Sequence, residues 1–342
     1  MVFVVETIPE FNIKTDIFIS FGRQATERFY PEGTRRKDID AQEKEVGRLN
    51  IGFIGAGKVG CSLGKYFAEN GRESGLNVKG YYSRSSKSTK DAAHFTESEV
   101  YESIEALTDE CDVIFLTVPD GSIRDTWQQV REYDIKGKTI CHCSGAMSSR
   151  DAFEGIEETG AFGYSIHPLF AVSDKYNAYR ELTGVFFTLE GGCGKAAAMH
   201  SPEFLQLKEA FAKMGNPVRI IDGADKTTYH WAAAIASNLV CGLIDQSLAL
   251  MQRCGFAEDE AVKALAPILM GNMAHIAKDG PTESLTGPIE RNDVSTVGKH
   301  LECLQDGEEK ELYRLLSRRL VQMAQQRHRD RDYSRMSELL GK

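Results

Sequence analysis

Three groups of residues have the types and spacing that chemistry needs. The first is Gly55-Ala56-Gly57-Lys58-Val59-Gly60, a G-x-G-x-x-G loop that directly follows the apolar run Leu49–Ile54. Gly55 permits a tight turn, Gly57 lets the backbone approach a pyrophosphate, and Gly60 lets a helix pack closely on a strand. The helix that starts there offers free N–H groups and the positive end of its dipole to phosphates. The second group is Ser83-Arg84-Ser85-Ser86-Lys87, at the end of the next strand-like segment, Val78–Tyr82. An acidic residue at this place bonds a ribose 2′-hydroxyl. Here Arg84, Lys87 and hydroxyls including those of Ser83 and Ser85 suit a 2′-phosphate instead, which implies NADP(H). The third group is Lys226, His230, Ser237 and Asn238, which interrupt an apolar, Ala-rich helical pattern. His230 lies one turn after Lys226, and Ser237 two turns after His230, so they share a helix face. Buried polar groups need partners, and a substrate is one. An imidazole, with an ordinary pKa of about 6.5, is a fit general acid.

The elements that must position these groups alternate strand and helix from 48 to 222, the pattern of a mostly parallel sheet covered on both faces. Cys111–Val118 reads as a buried parallel strand, nearly continuous in apolar residues. It ends in Pro119-Asp120-Gly121-Ser122. Strand carboxyl ends line the ligand crevice of open α/β sheets, so Val118, Pro119, Asp120 and Ser122 are expected near the cofactor's inner ribose. Asp120 has the alternative role of helix N-cap. Thr139–Cys143 ends in Ser144-Gly145, and Gly163–His167 ends at His167, both facing the same crevice. Val185–Leu189, a helix over Pro202–Met214 and Val218–Ile221 enlarge the sheet.

After Asp222 the strand signals stop. Thr227–Arg253 is one long helical pattern with Trp231, Ile235, Leu239, Leu243 and Leu250 at its apolar positions. A second runs over Ala257–Ile276, interrupted at Pro267. Asp293 can N-cap a short helix through Leu301, and Glu308–Leu340 is mostly helical. The expected organisation is an N-terminal extension and linker over 1–47, a Rossmann dinucleotide domain over 48–222 and an all-α domain over 223–342. Within the extension, Val2–Thr7 and Ile13–Phe21 read as short strands and Arg35-Arg36-Lys37 as a solvated surface.

A net charge of −9 over 342 residues disfavours a nucleic-acid or anionic-membrane role. No apolar run is expected to approach the roughly 20 residues that span a bilayer, and the start has no basic n-region. The eight cysteines lack paired C-x-x-C spacing. They read as reduced thiols of a cytoplasmic protein rather than disulfides or metal ligands.

Six segments together resemble a family of Rossmann-like reductases whose C-terminal helical domain is a domain of unknown function. They are IGFIGAGKVG (51–60), FLTVPDGSI (115–123), CHCSGA (141–146), SIHPLFAV (165–172), YHWAAAIASN (229–238) and LTGPIERNDVSTV (285–297). The chain is similar in plan to 6-phosphogluconate dehydrogenase-like enzymes, ketopantoate reductase and pyrroline-5-carboxylate reductase. The resemblance implies an NADP-binding domain and a helical domain that forms a homodimer. It also implies, for some members, an alternative ketopantoate reductase of pantothenate biosynthesis. The extension has no counterpart in that pattern. Ketopantoate reductase proper carries a Lys and an Asn one turn apart where this chain has Lys226 and His230. Three readings follow. One is an NADPH-dependent reductase of a small 2-oxo acid, with 2-dehydropantoate as the leading substrate. There His230 or Lys226 protonates the alkoxide, Asn238 and Thr286 orient the substrate, and Arg291 pairs its carboxylate. The second is a cyclic imine reductase of pyrroline-5-carboxylate type. The third is a non-catalytic NADP-sensing protein.

Overall fold

The computed structural model describes residues 47–191 and 201–341, so the expected features of the N-terminal extension lie outside the described residues. These residues fall into two compact units that divide between Val240 and Cys241. The division lies beyond the expected one at 222 because the first helix after the sheet is tied to the sheet through Lys226 and Tyr229, as described below.

The first unit is built on an eight-stranded sheet in the order β3-β2-β1-β4-β5-β6-β7-β8. The strands are β1 (Leu49–Ile54), β2 (Leu76–Tyr82), β3 (Glu99–Val100), β4 (Val113–Leu116), β5 (Thr139–His142), β6 (Phe162–Pro168), β7 (Phe187–Gly191) and β8 (Val218–Ile220). All neighbours pair in parallel except β6 and β7, which are antiparallel. Between them run α1 (Lys58–Asn70), α2 (Ser86–Thr96), α3 (Ile104–Glu110), α4 (Ile123–Val130), α5 (Ser149–Ala152), α6 (Ile156–Thr159) and α7 (Pro202–Lys213). The central strands alternate their apolar side chains between two cores. Ile51, Phe53, Val113 and Phe115 face one, with Phe67 and Phe211. Ile54, Ile114 and Leu116 face the other, with Trp127 and Phe153. Burial on both faces is what the near-continuous apolar strands require.

The single helix expected over Thr227–Arg253 is two, α8 (Lys226–Ala236) and α9 (Asn238–Arg253). Ser237 breaks it with φ −121° and ψ −82°. Its expected apolar positions are not buried: Trp231, Ile235, Leu239 and Leu243 are exposed. By length and mean hydropathy (1.4), the helical stretch Gly223–Arg253 also meets the criterion for a membrane span, which corrects the expectation that no run approaches one. Scattered Ala, Gly and hydroxyl residues mask that average when only contiguous apolar runs are sought.

The second unit contains α10 (Glu258–Asp279), α11 (Val294–Cys303), α12 (Glu308–Arg327) and α13 (Ser334–Leu340). α10 passes through Pro267 without the expected interruption; proline removes one N–H donor, and the rest of a long helix holds. Asp293 N-caps α11 as expected, accepting from the Thr296 N–H at 3.0 Å. Leu285, Ile289, Val297, Leu301, Val321, Tyr333 and Met336 form this unit's core.

Candidate active site

The glycine loop takes the form its spacing demands. Gly55 has φ +113°, and a Cβ there would lie 2.6 Å from the Thr117 carbonyl. A Cβ on Gly60 would run into the Gly55 carbonyl and lie 2.5 Å from Thr117 Oγ1. Thr117 closes the turn by donating its hydroxyl to the Gly55 carbonyl at 2.7 Å. Gly57 differs: it N-caps α1 with no side-chain cap, and a Cβ there meets nothing within 4 Å. The first turn of α1 carries no acid. Space in front of an uncapped helix N-terminus that carries no acid is what a pyrophosphate needs.

That loop lines a cavity of about 540 Å³. Of the expected cofactor residues, Gly55, Gly57, Ser83, Arg84, Ser85, Val118, Pro119 and Ser122 line it. Ile54, Thr126 and Gln129 join them without having been anticipated. Ser85 is also the N-cap of α2, accepting from the Ser88 N–H at 3.2 Å. Lys87 is exposed and does not line the cavity. Lys58, Val59 and Gly60 shape the turn and helix start without lining it. Asp120 is not an N-cap: its Oδ2 accepts the Ser144 hydroxyl at 2.6 Å. Ser144 in turn accepts from the N–H groups of Ala146 and Met147. The Ser144-Gly145 turn is thereby fastened to the turn after β4, whose Pro119 and Ser122 line the first cavity.

A second cavity, of about 530 Å³, is lined by His167, Tyr229, His230, Ser237 and Asn238 together with apolar side chains, among them Leu169, Phe170, Ala171 and Ala233. His167 was expected at the cofactor and instead belongs to this second cavity. Ser144 and Gly145, also expected at the cofactor, line neither cavity; Gly145 packs against two rings of the second. A Cβ on it would lie 2.9 Å from His167 Nε2 and 2.9 Å from His230 Cδ2, so only glycine allows both rings against this turn. His167 Nδ1 shares a 2.8 Å hydrogen bond with the Tyr229 hydroxyl, which accepts from Thr188 Oγ1 at 2.9 Å. Burial, with Lys226 and His230 nearby, pushes the His167 pKa down to about 4, so the ring is neutral.

Lys226 is 1% exposed and lines neither cavity. Its ammonium donates to the Ser144 carbonyl at 2.9 Å and to Ser165 Oγ at 2.7 Å. Burial lowers its pKa to about 8, against the opposing charge of Glu190. Glu190 is itself buried on β7, accepting from the Ser149 N–H and hydroxyl. Lys226 thus anchors α8 to the ends of β5 and β6. Thr286 and Arg291 lie in the second unit, where both are exposed. Tyr229 and Thr188 escaped the sequence reading. The one available signal was a tyrosine beside His230, one turn from Lys226.

Residues 36–168 match the model of a Rossmann-like domain, and residues 195–320 match a domain of unknown function, DUF2520. No curated protein sequence matches the chain significantly. Among solved structures, a Thermotoga maritima protein is 24% identical with a TM-score of 0.61, over 81% of this chain and 99% of that one. A candidate NADP oxidoreductase from Bacteroides fragilis is 20% identical, with a TM-score of 0.60 over 80% and 98%. The Plasmodium falciparum pyrroline carboxylate reductase, solved with NADP bound, is 16% identical, with a TM-score of 0.52 over 84% and 98%. These likenesses show a shared fold over nearly the full length of those proteins. The chain thus joins a segment that matches a Rossmann-like domain to one that matches DUF2520.

Proposed function

We propose that the protein is an NADPH-dependent reductase of a small 2-oxo acid, with 2-dehydropantoate as the substrate of first choice. The observation that carries this reading is the pair of cavities, with the Ser144-Gly145 turn bonded to Asp120 and packed against His167 and His230. One has a phosphate-ready helix N-terminus and Arg84. The other is lined by two histidines, a tyrosine and an asparagine together with apolar side chains. A small branched oxo acid needs both kinds of surface. The Gly57 cradle and the absence of an acid after β2 fit NADPH, with Arg84 and Ser83 as partners of the 2′-phosphate. When bound, the nicotinamide supplies the hydride. The chain's own part is to orient the carbonyl, exclude water and deliver a proton to the forming alkoxide.

His230 lines the second cavity and is the proposed proton donor, whereas the Lys226 ammonium is committed to Ser144 and Ser165. Asn238, which lines the cavity, is the proposed orienting residue. A panel of 2-oxo acids and pyrroline-5-carboxylate with NADPH, read at the nicotinamide absorbance, tests the reading. Turnover of 2-dehydropantoate supports it. Turnover of the imine alone, or of nothing, overturns it. Within an active enzyme, His230→Ala should lower kcat by about 10²–10⁴-fold with NADPH affinity preserved. A near-normal kcat would remove His230 as donor.

A further inference from the structure

We propose that His167 presents a protonated Nε2 to the second cavity as the hydrogen-bond donor for the substrate's carbonyl oxygen, and that Tyr229 positions it by donating to Nδ1. The carbonyl part of this inference rests on the reductase reading; the proton arrangement does not.

The antiparallel pairing of β6 and β7 puts Thr188 directly opposite His167. Its hydroxyl lies 2.9 Å from the Tyr229 oxygen and 3.2 Å from the His167 carbonyl. α8 brings the Tyr229 hydroxyl to 2.8 Å from Nδ1, with the two rings edge to face at 5.6 Å. When Thr188 donates to the phenol oxygen, the phenol's single proton has Nδ1 as its remaining acceptor. A neutral ring that accepts at Nδ1 carries its proton on Nε2. Nε2 has no protein partner among the described residues, and His167 lines the cavity beside His230. It packs against Gly145, in the turn whose Ser144 donates to Asp120.

Burial first, and then the charges around the ring, keep it neutral rather than cationic. Lys226 and His230 face it from α8 and disfavour a second proton, Asp120 from the turn after β4 opposes them, and His142 lies on the neighbouring β5. A neutral imidazole holds an oxyanion without surrendering its proton, a role the handling of carbonyl substrates elsewhere has required of histidine. Tyr229 keeps its own proton, because burial raises its pKa.

The test uses the full chain with ¹⁵N-labelled histidine and needs no substrate for its first arm. Long-range proton–nitrogen spectra, assigned with His167→Asn, should show Nδ1 bare and Nε2 protonated across neutral pH. Tyr229→Phe should mix the tautomers and raise the pH at which the ring titrates. A wild-type ring protonated on Nδ1, or a Tyr229→Phe ring unchanged in both respects, overturns the proposal. The second arm compares His167→Gln, whose amide nitrogen reaches the place of Nε2, with His167→Asn, whose amide mimics Nδ1. With an active substrate, Asn should cost kcat about 10²–10³-fold and Gln clearly less, at unchanged NADPH affinity. Equal losses overturn the assignment of Nε2. If no oxo acid turns over, the reductase reading falls and the tautomer measurement alone decides this inference.

Discussion

Arg84 and His142 show how two single side chains of this site can be tested apart from turnover. Arg84 lines the cofactor cavity at the end of β2, where no acid competes with it. A charge-assisted hydrogen bond contributes about 1.5–3 kcal/mol, so Arg84→Ala should weaken NADPH binding about tenfold to a hundredfold. NADH binding should stay nearly unchanged; equal losses in titrations of both cofactors would reject the 2′-phosphate role. His142 is fully buried, packs on Phe153 and accepts from the Ser144 N–H at 3.2 Å. Burial pushes its pKa down to about 3. The unfolded chain takes up this proton below about pH 6.5, while the folded chain refuses it. Stability is therefore complete above that pH and falls as pH drops toward the folded value. His167, at about 4, adds to the same slope. Urea midpoints taken between about pH 7 and pH 4 should fall steeply in the wild type and less steeply in His142→Gln. Identical slopes would assign the acid sensitivity elsewhere. Residue identity was legible in the sequence wherever one local turn does the work, as at Gly55, Gly60 and Arg84. It was not legible for Thr188 and Tyr229, which meet His167 across a strand pair and a helix. Nor was it for Lys226, because lysine is almost never fully buried and only the fold supplies Ser144, Ser165 and Glu190 around it.

At the scale of elements, the turn between β1 and α1 separates two roles that one motif runs together. Gly57→Ala places its methyl in open space, at φ −80° and ψ −165°, which any residue adopts. It should leave the melting temperature of the free protein nearly unchanged and weaken NADPH by tenfold or more, because the methyl occupies the pyrophosphate's approach. Gly60→Ala drives its methyl into the Gly55 carbonyl and Thr117. It should cost about 1–3 kcal/mol of stability before any ligand is added, the usual range for overpacking. Equal melting temperatures for the two variants would refute the distinction. The strands were readable because β4 and β5 are buried on both faces and so run apolar without alternation. The break at Ser237 was not, since serine is tolerated inside helices and nothing flanking it is a glycine or proline. The break nonetheless leaves Ser237 and Asn238 on the cavity with His230, where an unbroken helix face was expected to place them.

At the scale of the molecule, the described helices carry a large apolar surface that the other described residues leave open. α9 buries no residue and α10 buries Ala261 alone. Trp231 is 64% exposed and Ile268 68%, with Leu239, Val262, Met270 and Met273 also open. Helices gain most of their stability from packing an apolar face, so these faces need an occupant. A bilayer is one option that the hydropathy of Gly223–Arg253 admits. The fastening of α8 argues against it: Lys226 is locked to Ser144 and Ser165, and Tyr229 to His167, in the sheet-bearing unit. α10 also begins with Glu258, Asp259 and Glu260 and ends with Lys278 and Asp279. A second copy of the chain is the occupant these observations favour, through an interface large enough to clear about 1,000 Å². Light scattering at micromolar concentration should therefore report twice the chain mass of 38.0 kDa. Ile268→Glu combined with Met270→Glu should shift the species toward monomer and lower the melting temperature, since the charges would have to enter the interface. A wild-type monomer under these conditions, or co-flotation of the wild type with anionic vesicles, would overturn the dimer.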